Sequence, residues 1–365
     1  MKKLDLNFLE TFIYSSTKAK EEKKKIVLIH GFYTDHRCFE LFYSKMRNHY
    51  ECICFNLPGC GTLKYYPLSY LQLENIAKLI AKYIIENDLN DLYLIGHSLG
   101  ASISAMVVNI LKNKHVCKVC LVAPFNITSI PKVITKPFKF NNLNNEKSYN
   151  ELQKMIFADY DKAIAKFSEQ RYYDGLFDFH KRNHKYSIFI MLNMVQIWTL
   201  SYLNSSYKAI KIPTQLILAG KDQFVSLDKT IQYFSKFNNN LQITQYLNSG
   251  HAIFIEEFER FFEEILHWIE DDLILNKNGD DKKDLEFGHE LFFMEDGIDN
   301  QHTTEIVQNY FENEAKNQSN DLMFFSDSQI SKMDDEENDY YNVDTFDVEY
   351  ISIDEFDKME NFEKK

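Results

Sequence analysis

Apolar residues follow two rhythms along this chain. Short, mostly apolar runs occur at Ile26-Val27-Leu28-Ile29, at 52–56, at Leu92-Tyr93-Leu94-Ile95, at 116–122 (where Lys118 interrupts it) and at Leu216-Ile217-Leu218-Ala219. Runs of this length with no polar alternation predict strands buried on both faces. Between them the spacing turns helical. A helical stretch is expected near 37–47, and a longer helix near 69–87 places Leu71, Ile76, Leu79, Ile80 and Ile84 on one side. Another helix is expected from Ala101 to Lys112, carrying Ile103, Val107, Ile110 and Leu111. Strand alternating with helix predicts the α/β class, with a mostly parallel central sheet covered by helices on both faces. In such a sheet the ligand cleft lies at the carboxyl ends of the strands.

The alternation stops after Pro124. Residues 125–208 read as mostly helical, with segments over Leu152 to Phe167 and Tyr186 to Leu203. Tyr186 to Tyr207 carries no formal charge and approaches the length of a membrane span. Asn193, Gln196, Thr199, Ser201 and Asn204 dilute it, so a buried or cleft-lining helix is expected and no transmembrane segment. The β/α rhythm resumes at Pro213, continues with a strand over Gln242 to Leu247, and ends in an apolar helix closing near Asp272. Residues 273–365 show no such pattern, and with Asp334-Asp335-Glu336-Glu337 and few aliphatics they predict a solvated, disordered acidic tail. Phe and Tyr recur between those acids, which makes a protein partner for the tail a second expectation.

Charge sharpens that division. The chain of 365 residues has a net charge of −13, but residues 281–365 hold 25 acidic and 7 basic residues. The first 280 residues are therefore mildly basic, and the acidic tail argues against nucleic acid as a partner. The six cysteines, at 38, 52, 54, 60, 117 and 120, show no disulfide framework spacing. Cys117 and Cys120 lie within an expected strand, where side chains three apart face opposite ways and cannot share a metal. Reduced thiols and an N-terminus without a signal-peptide pattern predict a cytoplasmic protein.

The chemistry concentrates at strand ends. Gly96-His97-Ser98-Leu99-Gly100 joins a strand to a helix, the setting of a nucleophile elbow. Its glycines allow close backbone approach, and the serine sits at the helix N-terminus, where the Leu99 N–H can meet an oxyanion. His30-Gly31-Phe32 follows the first strand, and the Phe32 N–H is the candidate second oxyanion donor. Gly220-Lys221-Asp222 follows another strand, and Ser249-Gly250-His251 precedes the last helix. The order Ser98, Asp222, His251 matches that of the α/β-hydrolase triad. His97 and His30 are expected to support the turn and the oxyanion loop.

These motifs, with Phe55-Asn56-Leu57-Pro58-Gly59-Cys60-Gly61, resemble the α/β-hydrolase fold superfamily in its compact lipase/esterase-like branch, over about residues 26 to 272. The family usually carries Asp where Asn56 stands and His where Cys60 stands. The resemblance implies a hydrolase core over 1–124 and 209–272, with 125–208 as a helical cap over the cleft. It implies a serine hydrolase that cleaves carboxylic esters through an acyl-enzyme on Ser98. His251 would be the general base, Asp222 would orient it, and neither cofactor nor metal would be needed. The aromatic, uncharged cap suggests a small-molecule ester with an apolar acyl group. A proline-iminopeptidase-like relative would show Gly and Trp beside the serine, and a haloalkane dehalogenase would use an aspartate nucleophile; this chain has His97, Leu99 and Ser98. A peptidase or thioesterase of the same fold, or a hydrolase body retained as a binding protein, are the alternatives.

Overall fold

The computed structural model describes residues 4–15, 24–135, 146–168, 176–236 and 241–277. The acidic segment expected over 273–365 lies outside the described residues except for its first five.

Seven strands form one sheet: β1 (Glu10–Tyr14), β2 (Lys25–Ile29), β3 (Glu51–Asn56), β4 (Leu92–His97), β5 (Val116–Val122), β6 (Thr214–Ala219) and β7 (Leu241–Tyr246). Their spatial order is β1-β3-β2-β4-β5-β6-β7. All neighbours are parallel except β1, which runs antiparallel to β3 with Glu10 opposite Asn56. The sequence reading assigned no strand before Ile26. β1 escapes it because an edge strand of four half-buried residues and an exposed Ile13 needs no continuous apolar run.

Alternate residues of each inner strand feed opposite cores. Val27 and Ile29 of β2 join Leu92 and Leu94 of β4 on one face, while Ile26, Leu28, Tyr93 and Ile95 enter the other. The first face is covered by α2 (Leu73–Glu86), α3 (Leu99–Ile110) and α8 (Ile197–Ala209). The second is covered by α1 (Glu40–Met46) and α11 (Phe258–Lys277). Both faces being dry explains why these strands read as mostly hydrophobic runs, and Lys118, buried in β5, donates to the Trp268 carbonyl. The expectation that Cys117 and Cys120 face opposite ways is not met: a register shift in β5 at Cys117 breaks the alternation, so Cys120, buried, and Cys117, half-buried, pack against the same core, and no disulfide joins the six cysteines.

Between β5 and β6 the chain is helical: α4 (Ile130–Thr135), α5 (Glu146–Ile156), α6 (Tyr160–Ser168), α7 (Leu176–Met194) and α8. Two single helices expected from periodicity are in fact broken. The first breaks at Phe157–Asp159, the second at Val195–Gln196, where the axis turns by 70°. At the second break Asn193 accepts from the Leu73 N–H and donates to Gln196, so local helix bonds yield to tertiary ones. No single helix among the described residues is long and apolar enough to cross a membrane. α8 packs along α3 with Leu200, Leu203 and Tyr207 buried, while Trp198 stands 64% exposed.

Candidate functional site

Ser98 is the junction of β4 and α3, and its backbone is forced. It sits at φ 53° and ψ −116°, a region L-residues avoid at a cost of about 1–3 kcal/mol. The surroundings over-determine it. The Ser98 N–H donates to the Val122 carbonyl at 2.8 Å, and the Ser98 carbonyl accepts from Ala101, Ser102 and Phe125. Tyr207 of α8 donates to the Phe125 carbonyl at 2.6 Å, and the Ser102 hydroxyl donates to that carbonyl at 2.7 Å. Two glycines are sterically required. A Cβ on Gly100 would collide with the carbonyls of Ile29 and His30, and one on Gly96 would collide with the Gly100 carbonyl. The Ser98 side chain is half-buried and makes no capping bond to its own helix.

The loop after β2 passes directly beside the serine. A Cβ on Gly31 would come 3.2 Å from Ser98 Cβ and 2.9 Å from His97 Nδ1. The N–H groups of Phe32 and Leu99 donate to no group among the described residues. His30 pins this loop: its Nδ1–H donates to the Gly31 carbonyl at 2.7 Å, and its Nε2 accepts from the Leu57 N–H at 3.1 Å. Complete burial lowers its pKa to about 4, so it remains neutral and cannot serve as a base for exposed chemistry.

β6 and β7 deliver the acid and the imidazole. Their following loops are zipped together, Gly220 N–H to Tyr246 carbonyl and Lys221 N–H to Ser249 carbonyl. Asp222 Oδ1 accepts from the backbone N–H groups of Phe224 and Val225 at 2.7 and 2.9 Å. Its Oδ2 then accepts from His251 Nδ1 at 2.7 Å. A carboxylate only accepts, so Nδ1 carries the ring proton and Nε2 of the neutral ring carries the lone pair. Both residues are buried.

His97, adjacent to the serine, holds the histidine from behind. Its Nε2–H donates to the His251 carbonyl at 3.0 Å, and the two rings lie 4.7 Å apart. Burial and the neighbouring His251 keep its pKa well below the ordinary value. Among the described residues no hydrogen bond joins the Ser98 hydroxyl to His251.

Sequence reasoning missed what surrounds these groups. The His251 N–H donates to the Ile156 carbonyl at 2.7 Å, and Lys132 of α4 donates to the Asp222 carbonyl at 3.2 Å. Glu256, in the short helix α10 (Ile253–Glu256), accepts from three backbone N–H groups in two segments. Backbone donors carry no side-chain signature, so no spacing in the sequence reveals them. Asn56 accepts from the His36 N–H and ring and donates to Glu10 Oε2 at 3.0 Å. Glu10 Oε1 collects donors from Thr62, Leu63 and Tyr66. The unusual Asn56 is thus explained: a carboxylate already occupies this turn, supplied by β1.

The comparisons agree with this architecture. Proteins named "Putative esterase/lipase 3" are similar in two mycoplasmas. That of Mycoplasma genitalium is 29% identical over 283 residues, spanning 76% of this chain and 96% of its own. That of Mycoplasma pneumoniae is 29% identical over 263 residues, spanning 71% and 90%. An esterase from Exiguobacterium antarcticum superposes with a TM-score of 0.55 at 17% identity, over 72% of this chain and 95% of that one. The model of the alpha/beta hydrolase family matches residues 26–264, the span that contains the serine turn, the loop beside it and the Asp222–His251 pair, and the chain belongs to that family.

Proposed function

We propose that this protein is a serine hydrolase of carboxylic esters, with Ser98 as nucleophile, His251 as general base and Asp222 as its orienting acid. The observation that carries the reading is the Asp222–His251 hydrogen bond of 2.7 Å, which leaves Nε2 as the ring's proton acceptor. A serine hydroxyl is a weak nucleophile until a base takes its proton. His251 would take it as Ser98 Oγ attacks the ester carbonyl, and Asp222 would stabilise the imidazolium that forms. The Phe32 and Leu99 N–H groups, free of other partners, would receive the oxyanion, a contribution of about 3 kcal/mol for each donor. Collapse expels the alcohol, with its proton returned by His251. Water then repeats the cycle on the acyl-enzyme and releases the acid.

Names of the mycoplasma relatives support esters over other acyl substrates. We assign the helical segment between β5 and β6, whose Phe157 and Ala163 are packed into the core, the role of a cover over the cleft that favours an apolar acyl group. The test is direct. A fluorophosphonate probe should label the wild-type protein once, at Ser98, and p-nitrophenyl esters of medium chain length should be cleaved in preference to the corresponding anilides. Labelling that survives Ser98→Ala, or amides turning over faster than esters, overturns the proposal.

A further inference from the structure

The loop that carries His251 is not held by the sheet alone. Gly250 and His251 are clasped to the turn between α5 and α6. The His251 N–H donates to the Ile156 carbonyl at 2.7 Å. Glu256 bridges the same two segments with its two oxygens. Oε1 accepts from the N–H of Ala158 at 2.7 Å and of Asp159 at 3.2 Å, and Oε2 accepts from the N–H of Gly250 at 2.6 Å. The seam is tight: a Cβ on Gly250 would fall 2.5 Å from the Ala158 nitrogen and 2.6 Å from the Ile156 oxygen. On the far side, the Ser249 hydroxyl donates to Glu257.

We propose that Glu256 is a positioning residue for His251, a carboxylate clasp that makes the α5–α6 turn part of the support of the imidazole. This rests on the hydrolase reading above. Asp222 fixes the ring's tautomer through Nδ1, but one hydrogen bond leaves the ring free to pivot about it. The backbone on which the ring is mounted must also be fixed, and at Gly250–His251 its N–H groups are satisfied by Glu256 and by the inserted segment. Only a group with two acceptor oxygens serves both sides. A glutamine of the same shape has one, so its amide group must face a backbone N–H and one side of the clasp is lost.

The test compares Glu256→Gln and Gly250→Ala with the wild-type full-length chain. The first removes an acceptor and the second wedges the seam open from the other side. Both variants should lose at least tenfold in kcat on a short p-nitrophenyl ester, with KM changed less than about threefold, because the base is displaced while the substrate's contacts remain. Fluorophosphonate labelling of Ser98 should slow in parallel. Amide hydrogen exchange should speed up together at 156–159 and at 249–252, and not in the sheet. A variant that loses activity only in proportion to its loss of folded protein, or that keeps wild-type kcat, overturns the inference. A wild-type chain that neither labels nor hydrolyses overturns the proposed function instead. In that case coupled exchange in the two segments still supports the clasp, and independent exchange overturns it.

Discussion

Asp222→Asn is the sharpest perturbation of the site, because the geometry dictates how the new side chain must sit. Oδ1 receives two backbone N–H groups, from Phe224 at 2.7 Å and Val225 at 2.9 Å. An amide NH2 placed there would face two donors and forfeit both bonds. The asparagine oxygen must therefore take the Oδ1 position, which puts its NH2 at the Oδ2 position, 2.7 Å from His251 Nδ1. That NH2 donates, so Nδ1 must accept, and the ring proton moves to Nε2. The nitrogen that should receive the serine proton then already carries one. The fold need not change, because every hydrogen bond is kept with one reversed. The expected loss in kcat/KM is about ten-thousandfold, the scale of an inverted tautomer in a serine triad. At ~1.4 kcal/mol per tenfold, this is about 5 kcal/mol of transition-state stabilisation. The assay is ester hydrolysis at neutral pH, with urea denaturation to show that stability is unchanged within about 1 kcal/mol. A loss smaller than tenfold in a fully folded variant would refute the assignment of His251 as base.

Three further outcomes follow from other parts of the fold. His30 is held at a pKa of about 4 against an ordinary value of 6.5, so below pH 6.5 the unfolded chain takes the proton first. The His30 contribution should be flat above that pH and fall by ~1.4 kcal/mol per unit down to about pH 4, on top of the contribution of the equally buried His97, and His30→Asn should remove one proton from the total slope in urea titrations run at successive pH values; an unchanged slope contradicts the burial argument. Asn56→Asp should cost about 2 kcal/mol in the same measurement, because it replaces the donor to Glu10 with a second carboxylate, and the double variant with Glu10→Gln should recover most of it. Gly100→Ala should destabilise by about 3 kcal/mol or prevent folding, since its Cβ would meet two carbonyl oxygens at the end of β2; a fully stable variant would show that the elbow is looser than drawn.

The sequence made the inner sheet and the serine turn legible for the same reason. Strands buried on both faces must be largely apolar, and a strand-to-helix turn this tight must be bare of side chains at Gly96 and Gly100. The acid and imidazole were legible because each follows a strand, and the structure brings them together at 2.7 Å. Other features left no trace. Glu10-Thr11-Phe12-Ile13-Tyr14 has neither a continuous apolar run nor a turn signal, since β1 pairs on one side only. The helix breaks at Phe157–Asp159 and Val195–Gln196 fall inside continuing helical periodicity. What interrupts them is a competing partner far along the chain: Glu256 for the first, the α2 N-terminus for the second. The uncharged stretch from Tyr186 to Tyr207 reads as a buried or cleft-lining helix, yet Trp198 within it stands in solvent because α8 turns a different side to α3.

Seen from the three strand-end loops, the insertion between β5 and β6 is a supporting structure, beside the role of cover proposed for it. Lys132 of α4 reaches the Asp222 carbonyl, the α5–α6 turn holds the backbone of His251, and Tyr207 of α8 braces the Phe125 carbonyl beside the serine turn. Each contact is made to a backbone group of a loop that carries one of the three proposed catalytic side chains, or of the segment that buttresses it. A cover that only excluded water would have no reason to bond there. Because misplacement of a reacting group by about 1 Å can cost a hundredfold in rate, substitutions along these contacts should act on turnover even where they leave substrate affinity alone. The physical consequence is that α4, the α5–α6 turn and α8 cannot move away together without loosening the loops that carry the proposed catalytic side chains.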